Sequence, residues 1–140
     1  YGILKPLDGV TPYRLEMQAK AEIEETTNLY DYWGDRLYHS VIDDRRTIIN
    51  LASKEYSKCI ERYLSDKDNY ITITFCELSG DKLVTKGTYA KMARGEMVRF
   101  MAENNIENPV DIQKFDRLGY TFRGNLSSET EYVFERKIIK

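Results

Sequence analysis

Cysteine and histidine are scarce in this 140-residue chain, which contains two cysteines and one histidine. A structural zinc site needs four ligands, and these three residues cannot supply them from cysteine and histidine alone. The two cysteines, Cys59 and Cys76, also lack the CxxC spacing of redox and zinc motifs. We therefore expect two buried, reduced thiols, and we expect neither a metal nor another cofactor.

The short motifs that identify common classes of enzyme are absent as well. The sequence contains no GxxxxGK[ST], GxGxxG, GxSxG or HExxH, so a P-loop, dinucleotide-binding, serine-hydrolase or zinc-protease assignment has no support. An enzyme remains one interpretation, because His39 lies four residues after Asp35 and could be oriented by it as a general base. The plainer interpretation is a surface histidine on a helix.

Long apolar runs are also missing. No stretch of about 18 apolar residues occurs, so no membrane-spanning helix and no membrane partner are predicted. The first residues, YGILKPLDG, show neither the basic start nor the small-residue cleavage site of a secretory signal, which favours the cytoplasm. With 41% hydrophobic and 31% charged residues, the chain suits a single globular domain.

Positive charge is concentrated in one segment of a chain whose formal net charge is −2. Residues 1–70 carry 10 basic and 13 acidic residues, whereas residues 71–140 carry 11 basic and 10 acidic ones. Within residues 82–99 the single acid is Glu96, and the five basic residues are Lys82, Lys86, Lys91, Arg94 and Arg99. A local positive field can therefore exist on a weakly acidic protein.

Residue patterns predict an α+β fold with a mixed sheet, a β-hairpin and several packed helices. The first predicted elements are a strand near residues 13–19, a helix over residues 28–44 capped by Asn28, a buried strand at Thr47–Ile49 and a helix after Ser53. YITITFCEL and KLVTKGTYA predict a hairpin over residues 70–89. An amphipathic helix over residues 90–104, a short helix from Pro109 and the strands GYTF and EYVFERKII follow.

The helix over residues 90–104 carries the strongest candidate site. Helical spacing places Lys91, Arg94 and Arg99 opposite the apolar residues. Gly95 costs about 1 kcal/mol relative to alanine in a helix interior, so another factor must favour it. One interpretation is an anion site, in which Arg94 binds a phosphate through its guanidinium fork, Lys91 adds a charge and Gly95 permits close approach.

The alternative interpretation of this helix is structural. Gly95 would then pack on a neighbouring element, and Arg94 would pair with a carboxylate such as Glu16. Two other groups of residues also have plain alternatives. The run Asp43-Asp44-Arg45-Arg46 suits local ion pairs better than a metal or phosphate site. Tyr30, Tyr32 and Trp33 could stack on bases, but the spread of tyrosines through all the predicted elements favours a tyrosine-rich core and rim.

Several long stretches of the sequence resemble a known family. YGILKPLDGVTPYRLEM, LYDYWGD, IINLASKEY and YAKMARGEMVRFM, in this order and followed by GYTF and SSETEYVFER, are similar to the YaaA family of bacterial peroxide-stress proteins. The resemblance implies a cytosolic bacterial protein that protects against hydrogen peroxide and limits damage from free iron. It also implies a role in DNA binding and repair, and a mixed α/β fold with a positively charged cleft.

The resemblance also implies that this chain is the C-terminal portion of a longer single-domain protein. Family members begin upstream, near a segment ISPAK that is not present here. The family's helix-hairpin-helix element has no counterpart in NNIENPVDIQKF, which lacks the Gly-x-Gly hairpin. We expect the surface that an upstream part would cover to be exposed or to mediate self-association.

Candidate site residues follow from the charge pattern and the resemblance together. The positions that match the family motifs are Arg14, Glu16, Trp33, Gly34, Asp35, Asn50, Ser53, Lys91, Arg94 and Gly95. We expect DNA or anion binding by Lys86, Lys91, Arg94, Gly95 and Arg99. We expect positions in the same cleft for Arg14, Glu16, Trp33, Asp35, Asn50 and Ser53.

The predicted partner is double-stranded DNA, contacted through its phosphates without base readout. One alternative is an enzyme that acts on a phosphorylated or nucleic-acid-derived ligand in the same cleft. Another is direct iron handling, for which one histidine and no clustered carboxylate motif leave few ligands.

Overall fold

The computed structural model describes residues 2–12, 16–20, 26–80 and 82–137. The chain divides into two compact units. The first consists of Tyr1–Ile48 and Ala52–Asn69, and the second of Ile49–Leu51 and Tyr70–Lys140. Helices and a mixed sheet of five strands confirm the predicted α+β class.

Helices and strands alternate irregularly along the chain. The α-helices are α1 (Leu29–Trp33), α2 (Arg36–Val41), α3 (Lys54–Glu61) and α4 (Gly87–Glu103). The strands are β1 (Thr47–Asn50), β2 (Asn69–Ser79), β3 (Lys82–Val84), β4 (Tyr120–Phe122) and β5 (Glu131–Arg136). Two 3₁₀ helices, Pro109–Lys114 and Gly124–Leu126, precede and follow β4. The first of them confirms the short helix predicted from Pro109.

The first unit contains two short helices where the sequence predicted one helix over residues 28–44. The side chain of Asn28 accepts a hydrogen bond from the backbone N–H of Asp31 at 3.0 Å, which confirms the predicted N-cap. Gly34 then adopts a φ of 52°, in the left-handed region that favours glycine, and ends α1. The helical spacing of apolar residues therefore continues past Gly34, although the backbone leaves the helical conformation there.

The strand predicted near residues 13–19 is wrong for the part that the structure describes, and residues 13–15 lie outside it. Residues 16–19 form a turn, in which the N–H of Ala19 donates to the carbonyl of Glu16 at 3.0 Å. The turn buries Met17 against Tyr30 and Cys59, with further apolar cover from Leu29, Trp33 and Leu37. The apolar residues of this segment thus serve a turn that packs on helices.

An ion pair between a partly exposed arginine and a buried carboxylate joins two turns of the first unit. The Arg46 guanidinium lies 2.6 Å from the Asp68 carboxylate, which also accepts a hydrogen bond from the Tyr38 hydroxyl at 2.8 Å. The backbone N–H of Ser65 donates to the same carboxylate at 2.7 Å. The Ser65 backbone hydrogen bond is the largest of the interactions that lower the pKa of Asp68. Arg46 therefore pairs with a carboxylate that is distant in sequence, where the charged run predicted local ion pairs.

Both cysteines are buried and free, as predicted. Cys59 lies on α3, and Cys76 lies on β2. Burial raises the pKa of each thiol, so the thiolate form is disfavoured. Ser53 occupies the predicted N-cap of α3, but its side chain makes no capping hydrogen bond; its carbonyl accepts from the N–H of Ser57 at 2.9 Å.

The sheet has the order β1-β2-β5-β4, and β3 pairs with β2. Strands β2 and β5 are parallel, whereas β4 and β5 are antiparallel. The antiparallel pair β2–β3 confirms the predicted hairpin, but its second strand ends at Val84 because α4 begins at Gly87. Strand β1 is half-buried except at Asn50, where a buried strand was predicted.

The core of the second unit lies between one side of the sheet and α4. Alternation along β2 points Ile71, Ile73 and Phe75 into this core. The Phe75 ring meets the rings of Phe115 and Phe134 at centroid distances of 5.8 and 5.5 Å. Helix α4 buries Ala90, Ala93, Met97 and Phe100, which confirms its predicted apolar side. This packing fixes which side of α4 faces solvent.

Candidate anion-binding site

Two basic residues of α4 face solvent, and a third lies at the border of its buried side. Lys91 and Arg99 are exposed, and Arg94 is half-buried. Lys86 is the N-cap residue of the helix, and Gly95 lies one position after Arg94 on an exposed part of it. The amphipathic pattern predicted from the sequence is therefore present, and the differences among these cations lie in their partners.

Two of the five candidate residues are engaged by carboxylates. The Lys86 Nζ lies 2.5 Å from Glu77 Oε1, and the Arg99 Nε lies 2.6 Å from Glu103 Oε1. Glu103 also receives a hydrogen bond from Arg117 at 2.6 Å. The hydrogen bonds from Arg117 and Arg99 lower the pKa of Glu103, which stays ionised and neutralises part of this face. Arg99 would bind a phosphate only in competition with Glu103, whereas Lys86 is half exposed and keeps N–H donors beyond its contact with Glu77.

Lys91 and Arg94 differ from their neighbours in this respect. Among the residues that the structure describes, neither has a carboxylate within 4.0 Å. The Nε of Arg94 is buried and has no hydrogen-bond acceptor in the described part of the chain. A buried donor without an acceptor is costly, and a ligand would contact Arg94 only through the exposed part of its side chain. These two residues form the uncompensated part of the basic face.

Gly95 has open space on its outer side. A Cβ built at this position meets no atom within 4 Å, apart from the helix's own backbone and its chain neighbours. The structural alternative, in which Gly95 packs on a crossing element, therefore has no counterpart among the described residues. An incoming ligand can reach this turn of α4 without displacing a side chain.

The other candidate residues are distributed over both units. Glu16 lines an open pocket of about 350 Å³ in the first unit, together with Gln18, Lys54, Glu55 and Lys58. Trp33 and Asp35 also belong to the first unit, as does Ser53, whereas Asn50 belongs to the second. Arg14 lies outside the described residues. A cleft that joins these positions to Lys91 and Arg94 stays a prediction.

His39 and Asn50, two further residues singled out in the sequence, have simple geometry. The His39 Nε2 lies 3.2 Å from Asp35 Oδ2, but both side chains are more than half exposed. This is the surface arrangement that the plainer interpretation described. Asn50 is buried, and its side-chain amide donates to the Thr72 hydroxyl at 3.3 Å. This hydrogen bond gives Asn50 a role within the sheet.

A second polar cluster was missed by the sequence analysis. Glu77 is 1% exposed at the end of β2, and Arg136 lies beside it on β5. The Arg136 guanidinium lies 3.8 Å from the centroid of the Tyr89 ring. The alternation of β2 contained the signal, because Glu77 continues the buried series of Ile71, Ile73 and Phe75. An acid on the core side of a strand requires a partner, which here is Lys86.

The described ranges contain neither a metal-binding cluster nor a membrane-spanning helix. Residues 2–12, 16–20, 26–80 and 82–137 contain no group of three or more His, Cys, Asp or Glu side chains suited to a metal ion. No helix in this part of the chain is long and apolar enough to cross a membrane.

The fold and this helix face define an α+β protein with a candidate anion-binding surface. The sequence model of one protein family, described as peroxide stress protein YaaA, matches residues 1–126. The chain therefore belongs to the YaaA family, as its motifs indicated.

Curated relatives carry the family name UPF0246. A UPF0246 protein of Agathobacter rectalis is 78% identical over 138 residues, which cover 99% of this chain and 55% of that protein. One from Lachnoclostridium phytofermentans is 56% identical over 96% of this chain and 52% of its own length. One from Clostridioides difficile is 43% identical over 98% of this chain and 56% of its own length. The chain thus spans about half the length of these relatives.

Proposed function

We propose that this protein acts in the bacterial response to peroxide and binds double-stranded DNA through phosphate contacts from α4. The observation that carries the DNA proposal is the pair Lys91 and Arg94, which lack carboxylate partners in the described structure while Lys86 and Arg99 have them. The forked guanidinium of Arg94 and the ammonium of Lys91 lie about one helical turn apart, which suits contacts to successive oxygens of a phosphate backbone. The family description supports the stress-response part of the proposal.

The proposed binding is indifferent to base sequence. Contacts to phosphate fix a protein on the duplex, but they carry no sequence information. The proposed location is the cytoplasm, where such a protein would meet DNA. Protection of DNA and limitation of iron damage are the consequences proposed for the stressed cell.

Salt dependence tests this proposal. Two phosphate contacts give a slope of log affinity against log salt of about −1.8, which corresponds to roughly a tenfold loss of affinity between about 50 and 200 mM salt. Fluorescence anisotropy with two labelled duplexes of unrelated sequence measures both the slope and the selectivity. We expect similar affinities for the two duplexes and a slope at least this steep.

A flat salt response would contradict DNA binding by this face. The competing function is an enzyme that acts on a small phosphorylated or nucleic-acid-derived ligand. Such a site would show saturable binding of the small ligand with weak salt dependence. The two functions are therefore separated by the same titration, carried out once with duplex and once with a nucleoside monophosphate.

A further inference from the structure

A cluster of polar side chains lies at the carboxyl end of the parallel pair β2–β5, directly after the aromatic residues of the core. Phe75 lies beside Phe134 in the register of the two strands, and two residues further on Glu77 lies beside Arg136. Tyr120 of β4 is the next neighbour of Arg136 across the sheet. Ligands of sheets with parallel strands commonly bind beyond the carboxyl ends of those strands.

The charges in this group do not balance. One buried carboxylate, Glu77, lies between two cations, Lys86 at 2.5 Å and Arg136 at 3.7 Å. The second distance is beyond that of a hydrogen bond. The cluster therefore carries one formal positive charge that no described side chain compensates.

Hydrogen bonding in the cluster is incomplete on both sides, because both carboxylate oxygens of Glu77 are buried without a hydrogen-bond partner in the described part of the chain, and Arg136 lacks acceptors there. The Arg136 side chain is 26% exposed, its guanidinium carbon lies 3.8 Å from the centroid of the Tyr89 ring, and its Cγ is close to Gly119. Its guanidinium makes no hydrogen bond to any residue in the described ranges, although it has five N–H donors. Guanidinium groups that are held in place and lack acceptors suit recognition of oxyanions.

Further donors belong to Lys86 and to the start of α4. The Lys86 ammonium is about half exposed and keeps two N–H donors after its contact with Glu77. Helix α4 begins at the next residue, and its first backbone N–H groups have no partners within the helix. Donors from a strand, from a side chain at the helix start and from the helix backbone suit a group with several anionic oxygens.

We propose that Lys86 and Arg136 bind a phosphate group at the carboxyl end of β2 and β5. This site is separate from the DNA contacts proposed for Lys91 and Arg94, so either can exist without the other. The phosphate belongs to a free phosphomonoester or to the terminal phosphate of a nucleic acid strand. In both cases the Arg136 fork binds two oxygens, the Lys86 ammonium binds a third, and Tyr89 supports the guanidinium plane.

The test is a titration of the isotope-labelled protein with inorganic phosphate, observed by NMR at constant ionic strength. We expect saturable shifts of the backbone amides of residues 87–89 and of the Arg136 side-chain N–H. Arg136→Gln should lower the phosphate affinity roughly tenfold or more, because it removes charge-assisted hydrogen bonds. Lys114→Gln, which removes an exposed lysine charge from the first 3₁₀ helix, should leave the affinity unchanged.

Wild-type protein alone already decides the proposal, so a variant that fails to fold does not obscure it. Shifts spread evenly over exposed lysines, with none at residues 87–89 or Arg136, would overturn the site. An unchanged affinity in folded Arg136→Gln would overturn it as well. A comparison of duplexes with 5′-phosphate and 5′-hydroxyl ends then identifies the source: preference for the phosphorylated end indicates a nucleic acid terminus, and equal binding with competition by inorganic phosphate indicates a free phosphomonoester.

Discussion

Replacing Lys86 by methionine should destabilise the protein far more than loss of an ordinary surface lysine. Glu77 is 1% exposed, and Lys86 is its one partner within 3 Å among the described side chains. Breaking a buried ion pair by removing one member costs roughly 3–5 kcal/mol, because the remaining charge is buried and uncompensated. Because Lys86 is half exposed and Arg136 remains nearby, we expect Lys86→Met to lower the free energy of unfolding by about 2–3 kcal/mol, at or below the lower end of that range.

A double-mutant cycle in urea isolates this effect. Glu77→Leu removes the buried charge and leaves the partly exposed Lys86 free to extend into water, so we expect it to cost about 1 kcal/mol. Adding Lys86→Met to Glu77→Leu should then cost little more, which gives a coupling free energy of about 2 kcal/mol. Equal m-values would show that the unfolding transition itself is unchanged. Strictly additive single effects, or a loss below about 0.5 kcal/mol in Lys86→Met, would refute the reasoning.

Three further predictions concern other parts of the chain. Gly95→Ala should raise the free energy of unfolding by up to about 1 kcal/mol, because alanine favours the helix and the added Cβ meets open space. A lower free energy of unfolding in a denaturant titration of this variant would contradict the prediction. The pKa of Asp68 is lowered by folding, so its contribution to stability is present above its unfolded value of about 4 and is lost as pH falls through the folded value. Melting curves against pH should therefore be flatter in acid for Asp68→Asn than for wild type, and identical profiles would count against the role of this carboxylate. We also propose self-association through the apolar side chains of residues 2–12, where Leu7 is 99% exposed and Ile3 is half exposed; light scattering should detect dimers or larger species, and a strict monomer would exclude it.

The elements with regular patterns were predictable from the sequence. Alternation identified the hairpin β2–β3, and 3.6-residue spacing identified α4 and its buried side. The break between α1 and α2 was not predicted, because apolar spacing does not report that Gly34 takes a positive φ. The turn at residues 16–19 was missed for a related reason, since alternation over a few residues also fits a turn that buries one side chain.

The candidate site was predictable only in part. The basic face of α4 follows from helical spacing, and the pairing of Arg99 with Glu103 follows the four-residue rule. The pairing of Lys86 with Glu77 depends on the hairpin and the start of α4, and the contact of Arg136 with Tyr89 depends on the packing of β5 and α4. Such contacts join residues that are distant in sequence, so no local pattern reveals them. For the same reason the sequence could not show that Lys91 and Arg94 have no carboxylate partner among the described residues.

The most direct test of the central claim is duplex binding by the double variant Lys91→Glu/Arg94→Glu, measured with its thermal midpoint. The matched control is Lys67→Glu/Lys114→Glu, which makes the same change of net charge at exposed positions. We expect the first variant to lose DNA affinity and to flatten the salt slope by about 1.8. The thermal midpoint should change little, because the exposed Lys91 contributes within about 0.5 kcal/mol and the half-buried Arg94 makes no ion pair among the described residues. The control should bind almost as well as wild type. A large loss of stability in Lys91→Glu/Arg94→Glu, with the remaining folded protein binding DNA normally, would show that this part of α4 is structural and would contradict the account.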